Sequence, residues 1–178
     1  MLDLSPPIWR RIEVPYDFNL HQMHLTIQAA TRWKNYHLYG FRVGRINYSL
    51  PNREWPDDDL NSKKTKIKDL LLLSSKPRVI YEYDYGGGWE HEVIVQGLFR
   101  TKEWVKYPRC ISGRRACPPE DCGGSYGYER MLETIKNPKD KEYKETIEWL
   151  GGGFDPERFD LTEVNEMVEH YRDMEMSV

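Results

Sequence analysis

The sequence predicts an α+β fold: a mostly antiparallel sheet with helices packed against it. Three observations carry that prediction. Period-two, aromatic-rich runs recur through the first hundred residues. Three of the five helical stripes come late, after residue 127. Between these groups, Tyr81-Glu-Tyr-Asp-Tyr-Gly-Gly-Gly-Trp-Glu-His-Glu-Val-Ile-Val-Gln-Gly97 reads as two strands folded back at a triple glycine. Strands first with helices bunched at the end indicate α+β order, not an alternating α/β sheet.

Taken in order, Ile8 to Val14 alternates as a strand between Pro6-Pro7 and Pro15. Asn19 is placed to cap a helix, with Gln22 at the capping-box position and Leu20, Met23, Ile27 and Ala30 forming a stripe to about Trp33. His24 sits beside that stripe and is expected to be a hydrogen-bonded structural residue. Tyr39, Phe41 and Val43 mark a second strand, which Gly44-Arg45 turns into Ile46-Asn47-Tyr48. Residues 51–65 are expected to be a polar loop holding the solvated acidic run Asp57–Asp59. Thr65 is positioned to cap a short helix with Ile67, Leu70 and Leu71 inward. Residues 101–126 read as a long irregular loop, packed down by Trp104, Tyr107 and Tyr126. Helices follow at Tyr128–Ile135, stopped by Asn137-Pro138, and at Tyr143–Leu150, ended by Gly151-Gly152-Gly153. The last is opened by Asp160 and Glu163, with Leu161, Val164, Met167, Val168 and Tyr171 inward.

The central hairpin sets the chemistry. A three-glycine loop places Tyr85 opposite Trp89, Asp84 opposite Glu90, Tyr83 opposite His91 and Glu82 opposite Glu92. One face then carries Tyr81, Tyr83, Tyr85, Trp89, His91 and Val93, and His91 donates a hydrogen bond within the core. The other carries Glu82, Asp84, Glu90 and Glu92. Like charges opposite each other cost roughly 0.2–1 kcal/mol per pair, so solvent, arginines or a divalent cation should compensate. Arg109, Arg114 and Arg115 are the expected partners.

Length and charge bound the function. A chain of 178 residues suits one domain spanning 1–178. The net charge of -3 excludes a globally basic nucleic-acid binder. Charge is nonetheless segregated: from Lys139 onward five Lys/Arg stand against twelve Asp/Glu. Residues 100–115 reverse this, with Arg100, Lys102, Lys106, Arg109, Arg114 and Arg115 against Glu103 alone. Interleaved with Trp104 and Tyr107, they form a candidate nucleic-acid surface. An odd count of cysteines with no signal peptide points to the cytoplasm, and no apolar run is long enough to span a bilayer. Cys110-x6-Cys117-x4-Cys122 departs from the paired spacing of structural zinc. No Gly-x-Ser-x-Gly elbow or Walker glycine loop is present.

Several long motifs together resemble one family. They are Pro6-Pro-Ile-Trp-Arg-Arg-Ile-Glu-Val-Pro15, Tyr83-Asp-Tyr-Gly-Gly-Gly-Trp-Glu-His91, Tyr107-Pro-Arg-Cys110 and Gly113-Arg-Arg-Ala-Cys-Pro-Pro-Glu-Asp-Cys-Gly-Gly124. Gly127-Tyr128, Trp149, Phe154-Asp-Pro-Glu157 and Phe159-Asp160 complete the set. The chain is similar to the plasmid pRiA Orf-three-like family over nearly its whole length. The resemblance implies a single α+β domain of the roll type and an association of some members with plasmids and mobile elements. It implies no activity. The family usually reads Asp-Phe-Gly-Asp-x-Trp-Glu-His at the turn; here Tyr85 replaces the Phe and Gly87 the second Asp. The family's N-terminal strand is also longer, so Met1–Ser5 is expected to be a clipped version.

The expected function is a cytoplasmic binding or adaptor domain, with its site where the 81–97 hairpin meets the 107–124 loop. Trp89 and Tyr107 would supply contact area, Arg109, Arg114 and Arg115 polar contacts, and Asp84, Glu90, Glu120 and Asp121 carboxylates, with His91 nearby. One alternative is a metal-assisted hydrolase using those carboxylates on a divalent ion. The other is a nucleic-acid module. No catalytic residue, metal ligand or membrane partner is assigned from sequence.

Overall fold

The computed structural model describes residues 1–52, 58–73 and 77–175. Pro56 and Asp57 of the expected polar loop lie outside the described residues. Seven strands and five helices are described: β1 (Trp9–Glu13), α1 (Leu20–Thr31), β2 (Tyr39–Val43), β3 (Ile46–Ser49), β4 (Leu60–Asn61), α2 (Ile67–Leu73), β5 (Val79–Tyr83), β6 (Trp89–Val93), β7 (Arg109–Arg114), α3 (Gly124–Lys136), α4 (Tyr143–Trp149) and α5 (Leu161–Glu175). They form a five-stranded sheet in the order β4-β3-β2-β5-β6 and a two-stranded sheet of β1 and β7. All pairings are antiparallel except β3 with β4. The fold class is α+β, as its sequence order implies.

α1 is the central helix. The Asn19 side chain accepts from the Gln22 amide at 2.8 Å, and the Gln22 side chain accepts from the Asn19 amide at 2.9 Å, closing the capping box. Leu20, Met23 and Ile27 join Phe41, Val79, Tyr81 and Tyr83 in the core beneath the large sheet. Leu25, Ala29 and Ala30 face a second cluster with Cys110, Val164, Val168 and Tyr171. The helix is therefore buried on two sides, more than the single stripe Leu20-Met23-Ile27-Ala30 indicates.

Burial on two sides obliges the polar residues of α1 to find partners. Gln28 donates through Nε2 to the Tyr81 hydroxyl at 2.9 Å, and its Oε1 accepts from the Asn35 amide at 3.0 Å. His24 meets the same hydroxyl at 2.9 Å through Nδ1 and Asn35 Oδ1 at 2.8 Å through Nε2. It stacks on Tyr39 with centroids 3.6 Å apart. Burial pushes the His24 pKa down to about 3. A neutral ring protonated on Nε2 accepts from Tyr81 and donates to Asn35, so every member of the network is satisfied.

Four expectations need correction. Residues 109–114 form β7, an antiparallel partner of β1 with a register shift between Arg11 and Ile12. Pro108 and Gly113 disguise it as a loop, but a Cβ at Gly113 would lie 2.5 Å from the Phe159 ring. That glycine makes room for a crossing side chain. Trp104 and Tyr126 are exposed, not packed down. Within the expected polar loop, Leu60–Asn61 forms β4 beside β3. The Thr65 hydroxyl donates back to Asn61 O at 3.3 Å and does not cap α2.

Tyr81→Phe should leave Gln28 Nε2 and His24 Nδ1 buried without a partner. Urea unfolding is expected to show a loss of about 1–3 kcal/mol, with the fold retained by circular dichroism.

Candidate functional site at the hairpin tip

The hairpin turns two residues earlier than a triple-glycine loop requires. Tyr83 pairs with Trp89, Glu82 with Glu90, Tyr81 with His91 and Ile80 with Glu92. Asp84 adopts a left-handed φ of 56° and its carbonyl accepts from the Gly88 amide. Asp is among the few non-glycine residues that tolerate this conformation, so the loop runs from Asp84 to Gly88. A shift of two residues preserves side-chain parity. Tyr81, Tyr83, Trp89 and His91 still face the core, while Tyr85 leaves it and is exposed.

The acidic face is correspondingly altered. One like-charge pair, Glu82 opposite Glu90, replaces the two expected. Its cations are also different. Arg42 of β2 meets Glu90 at 2.8 Å, and Arg78, just before β5, meets Glu92 at 3.0 Å. Arg109 instead meets Glu13 at 2.7 Å, Arg115 meets Glu157 at 2.7 Å, and Arg114 is exposed. Local sheet neighbours supply the positive charge because β7 belongs to the other sheet. Tyr107 lies with Arg109, whose guanidinium sits 5.8 Å from its ring centroid.

Trp89 is buried under the tip and offers no contact area, and His91 is buried beside it. His91 stands edge-on to Trp33 with centroids 5.5 Å apart. Neither buried ring nitrogen makes a hydrogen bond of good geometry among the described residues, and the Tyr81 backbone offers the ring only a weak interaction that favours its proton. Burial, with the N-terminal ammonium adding to it, lowers its pKa to about 3.

Three of the expected site residues do converge at the tip. Gly124 opens α3 with φ 69°, and a Cβ there would lie 2.4 Å from Gly87 O. Glycine at position 124 lets the end of the proline-rich segment come up against the hairpin turn. Glu120 Oε1 accepts from the Tyr83 hydroxyl at 2.6 Å, and its Oε2 accepts from the Lys34 amide at 2.7 Å. Asp121 Oδ1 lies 2.8 Å from His37 Nε2, while His37 Nδ1 lies 3.7 Å from Asp84 Oδ1. The Asp84 amide donates to Leu38 O at 3.0 Å, tying the turn to the same loop.

Sequence spacing gave no signal for His37, Tyr83, Trp33 or Lys34 as parts of the site. Trp33 follows α1, donates through Nε1 to Pro118 O at 2.8 Å and stacks on Tyr83 at 5.0 Å. Beyond these residues opens a groove of about 640 Å³, lined by Trp33, Lys34, Tyr36, Glu120, Asp121, Trp149, Phe154, Phe159 and Arg158 among others. Tyr36 is 69% and Trp149 51% exposed. Arg32 and Arg158 both pair with Glu163 beside it.

The thiols stand outside the hydrogen-bonded junction, although Cys117 lines the groove. Cys110 bonds to Ser112 O, and Cys117 accepts from Arg10 Nη2 at 3.3 Å. Burial, reinforced by Asp121 and Asp84, raises the Cys122 pKa to about 12. Among the described residues, the group of His, Cys, Asp and Glu side chains close enough to share an ion is His37, Asp84 and Asp121, whose ligand atoms lie within 4.8 Å of one another.

Fold and site together define an α+β domain with a polar junction and a groove at the tip of its central hairpin. The chain belongs to the plasmid pRiA4b ORF-3-like protein family, whose profile matches residues 1–163. It is 30% identical over 167 residues to the uncharacterized protein y4hQ of Sinorhizobium fredii (strain NBRC 101917 / NGR234), covering 93% of this chain and 86% of that one. It is also similar to a crystal structure of a protein of unknown function, MM3350, from Methanosarcina mazei Go1. That match has 38% identity and a TM-score of 0.83, and covers 91% of this chain and 92% of the other. Among the described residues no helix is long and apolar enough to cross a membrane.

The depressed His91 pKa has a stability consequence. Unfolded, the ring binds its proton near the ordinary value of 6.5; folded, it does so only near 3. The stability it contributes is complete above about pH 6.5 and is lost as pH falls toward 3, by up to about 1.4 kcal/mol per pH unit. His24 acts in the same direction. His91→Leu should reduce the slope of unfolding free energy against pH in this window by one proton's worth. Urea titrations at a series of pH values measure it, and an unchanged slope contradicts the assignment.

Proposed function

We propose that the protein is a binding domain whose ligand lies in the groove beside the hairpin tip. It would act in the cytoplasm, in keeping with three unpaired thiols, and serve the plasmid or mobile-element setting that the family description suggests. The observation that carries this reading is the pair of exposed aromatics, Tyr36 and Trp149, at one concave surface with Glu120, Asp121 and Arg158. Ligand sites combine apolar walls with a few placed polar groups in this way. Exposed aromatic rings provide contact area at low entropic cost.

Two features favour binding at this groove over the acidic hairpin face. Glu90 and Glu92 already have arginine partners. The groove's inner boundary is also well tied down, through Trp33 to Pro118 and through Glu120 to Tyr83. A rigid wall limits the ordering cost of association.

Nuclear magnetic resonance titration with a library of small aromatic fragments tests the reading. Chemical-shift changes should gather on Tyr36, Trp149 and Phe154. They should vanish in Trp149→Ala, whose melting temperature should be nearly unchanged because α4 has no buried residue. Fragments that gather elsewhere, or that bind Trp149→Ala equally, contradict it.

A further inference from the structure

We propose that His37, Asp84 and Asp121 hold one divalent transition-metal ion, of the Mn²⁺ or Zn²⁺ kind, with open coordination positions toward solvent at the groove's edge. The inference rests on the groove reading, since Asp121 belongs to both the ligand group and the groove wall.

The first argument is geometric. Ligand atoms about 2.0–2.2 Å from a common ion lie roughly 3.0–3.5 Å apart in tetrahedral or octahedral arrangements. Here one ligand atom from each of His37, Asp84 and Asp121 lies within 4.8 Å of the other two, a little wider than that range; His37 meets Asp121 through Nε2 at 2.8 Å and faces Asp84 through Nδ1 at 3.7 Å. Binding requires the His37 and Asp121 side chains, 30% and 61% exposed, to rotate until one imidazole nitrogen and both carboxylates meet one point. The other imidazole nitrogen then stays free to bond an outer carboxylate oxygen, as metal-bound histidines usually do.

The second argument is charge. Asp84 and Asp121 have no lysine or arginine among their described ion pairs; each shares the single imidazole of His37. Elsewhere on the sheet, Glu90 and Glu92 have arginines of their own. Two carboxylates drawn to one imidazole, with no lysine or arginine among their described ion pairs, form the electronegative spot a divalent ion would neutralise.

The third argument is preorganisation. The three ligands come from separate segments, and each segment is anchored. The Tyr83 hydroxyl accepts from the His37 amide at 3.3 Å and donates to Glu120, next to Asp121. Asp84 is tied to Leu38 through its amide. The donor set of one nitrogen and two carboxylates selects the ion class. Ca²⁺ and Mg²⁺ favour all-oxygen sites, while imidazole with carboxylate suits Zn²⁺ and Mn²⁺. Three protein ligands leave room for water or an oxygen donor of the groove ligand.

Isothermal titration of the chelator-stripped full chain with MnCl₂ and with ZnCl₂ tests the proposal. One site per chain is expected for at least one of them, with affinity lowered about tenfold or more in Asp121→Asn and in Asp84→Asn. Asp121 is 61% exposed at its side chain, so Asp121→Asn should fold normally and unfold at the same temperature without metal. No saturable uptake, equal uptake by an Asp84→Asn, Asp121→Asn double variant, or equal affinity for MgCl₂ overturns it. The fragment titration repeated in chelator separates the two readings. Fragments at the groove with no metal uptake overturn the ion site and leave the groove; metal uptake with no fragment at the groove supports the ion site and removes the groove.

Discussion

The hydroxyl of Tyr83 is the constraint on which the candidate site depends. It is fully buried, donates to Glu120 and accepts from the backbone amides of Tyr36 and His37. One oxygen thus joins the central sheet, the loop after α1 and the proline-rich segment. Burial, aided by the neighbouring carboxylate, raises its pKa and keeps the phenol neutral, as a donor to Glu120 must be. A hydrogen bond to a carboxylate is stronger than one between neutral groups, and at a buried site its loss is costly. The ring of the same residue stacks on Trp33, whose indole N–H holds Pro118. Tyr171 reaches Trp33 O from α5, so the junction is fastened to the last helix as well.

Close backbone approach is the second requirement. Gly87 and Gly124 touch where the hairpin turn meets the start of α3, and neither could carry a side chain without displacement. A Cβ on Gly87 would fall 2.4 Å from Asp84 Oδ2. The glycine that replaces the family's usual second Asp therefore shapes the turn around Asp84. The neighbouring acids Glu90 and Glu92 belong to a different economy, an outer sheet face neutralised by Arg42 and Arg78.

Much of the fold was legible in the sequence because it rests on local signals. The Asn19–Gln22 box, the Tyr39–Val43 strand and the Tyr128-Met131 stripe need only nearby residues to be recognised. Asp84, Glu120 and Asp121 were legible as a group because the motifs bearing them are long and chemically distinctive. β7 was hidden because its Gly113 serves a tertiary contact with Phe159, which no local pattern encodes. The hairpin register was misread because Asp84, not a glycine, takes the first left-handed position. His37 and Tyr83 escaped for another reason. Their roles arise from the 32–38 loop folding over the sheet, and nothing in their spacing marks that encounter. The arginines of residues 109–115 were misassigned because charge balance was judged along the chain, whereas sheet order decides which charges meet.

The central claim is that one buried hydroxyl holds two loops together as a single site. Hydrogen exchange followed by mass spectrometry on Tyr83→Phe tests it directly, since the ring stays and only the oxygen goes. Amides in residues 34–38 and 118–124 should exchange markedly faster, while those of β2, β5 and α1 keep their protection. Unchanged exchange in both loops, or uniform acceleration across the sheet, would contradict the account.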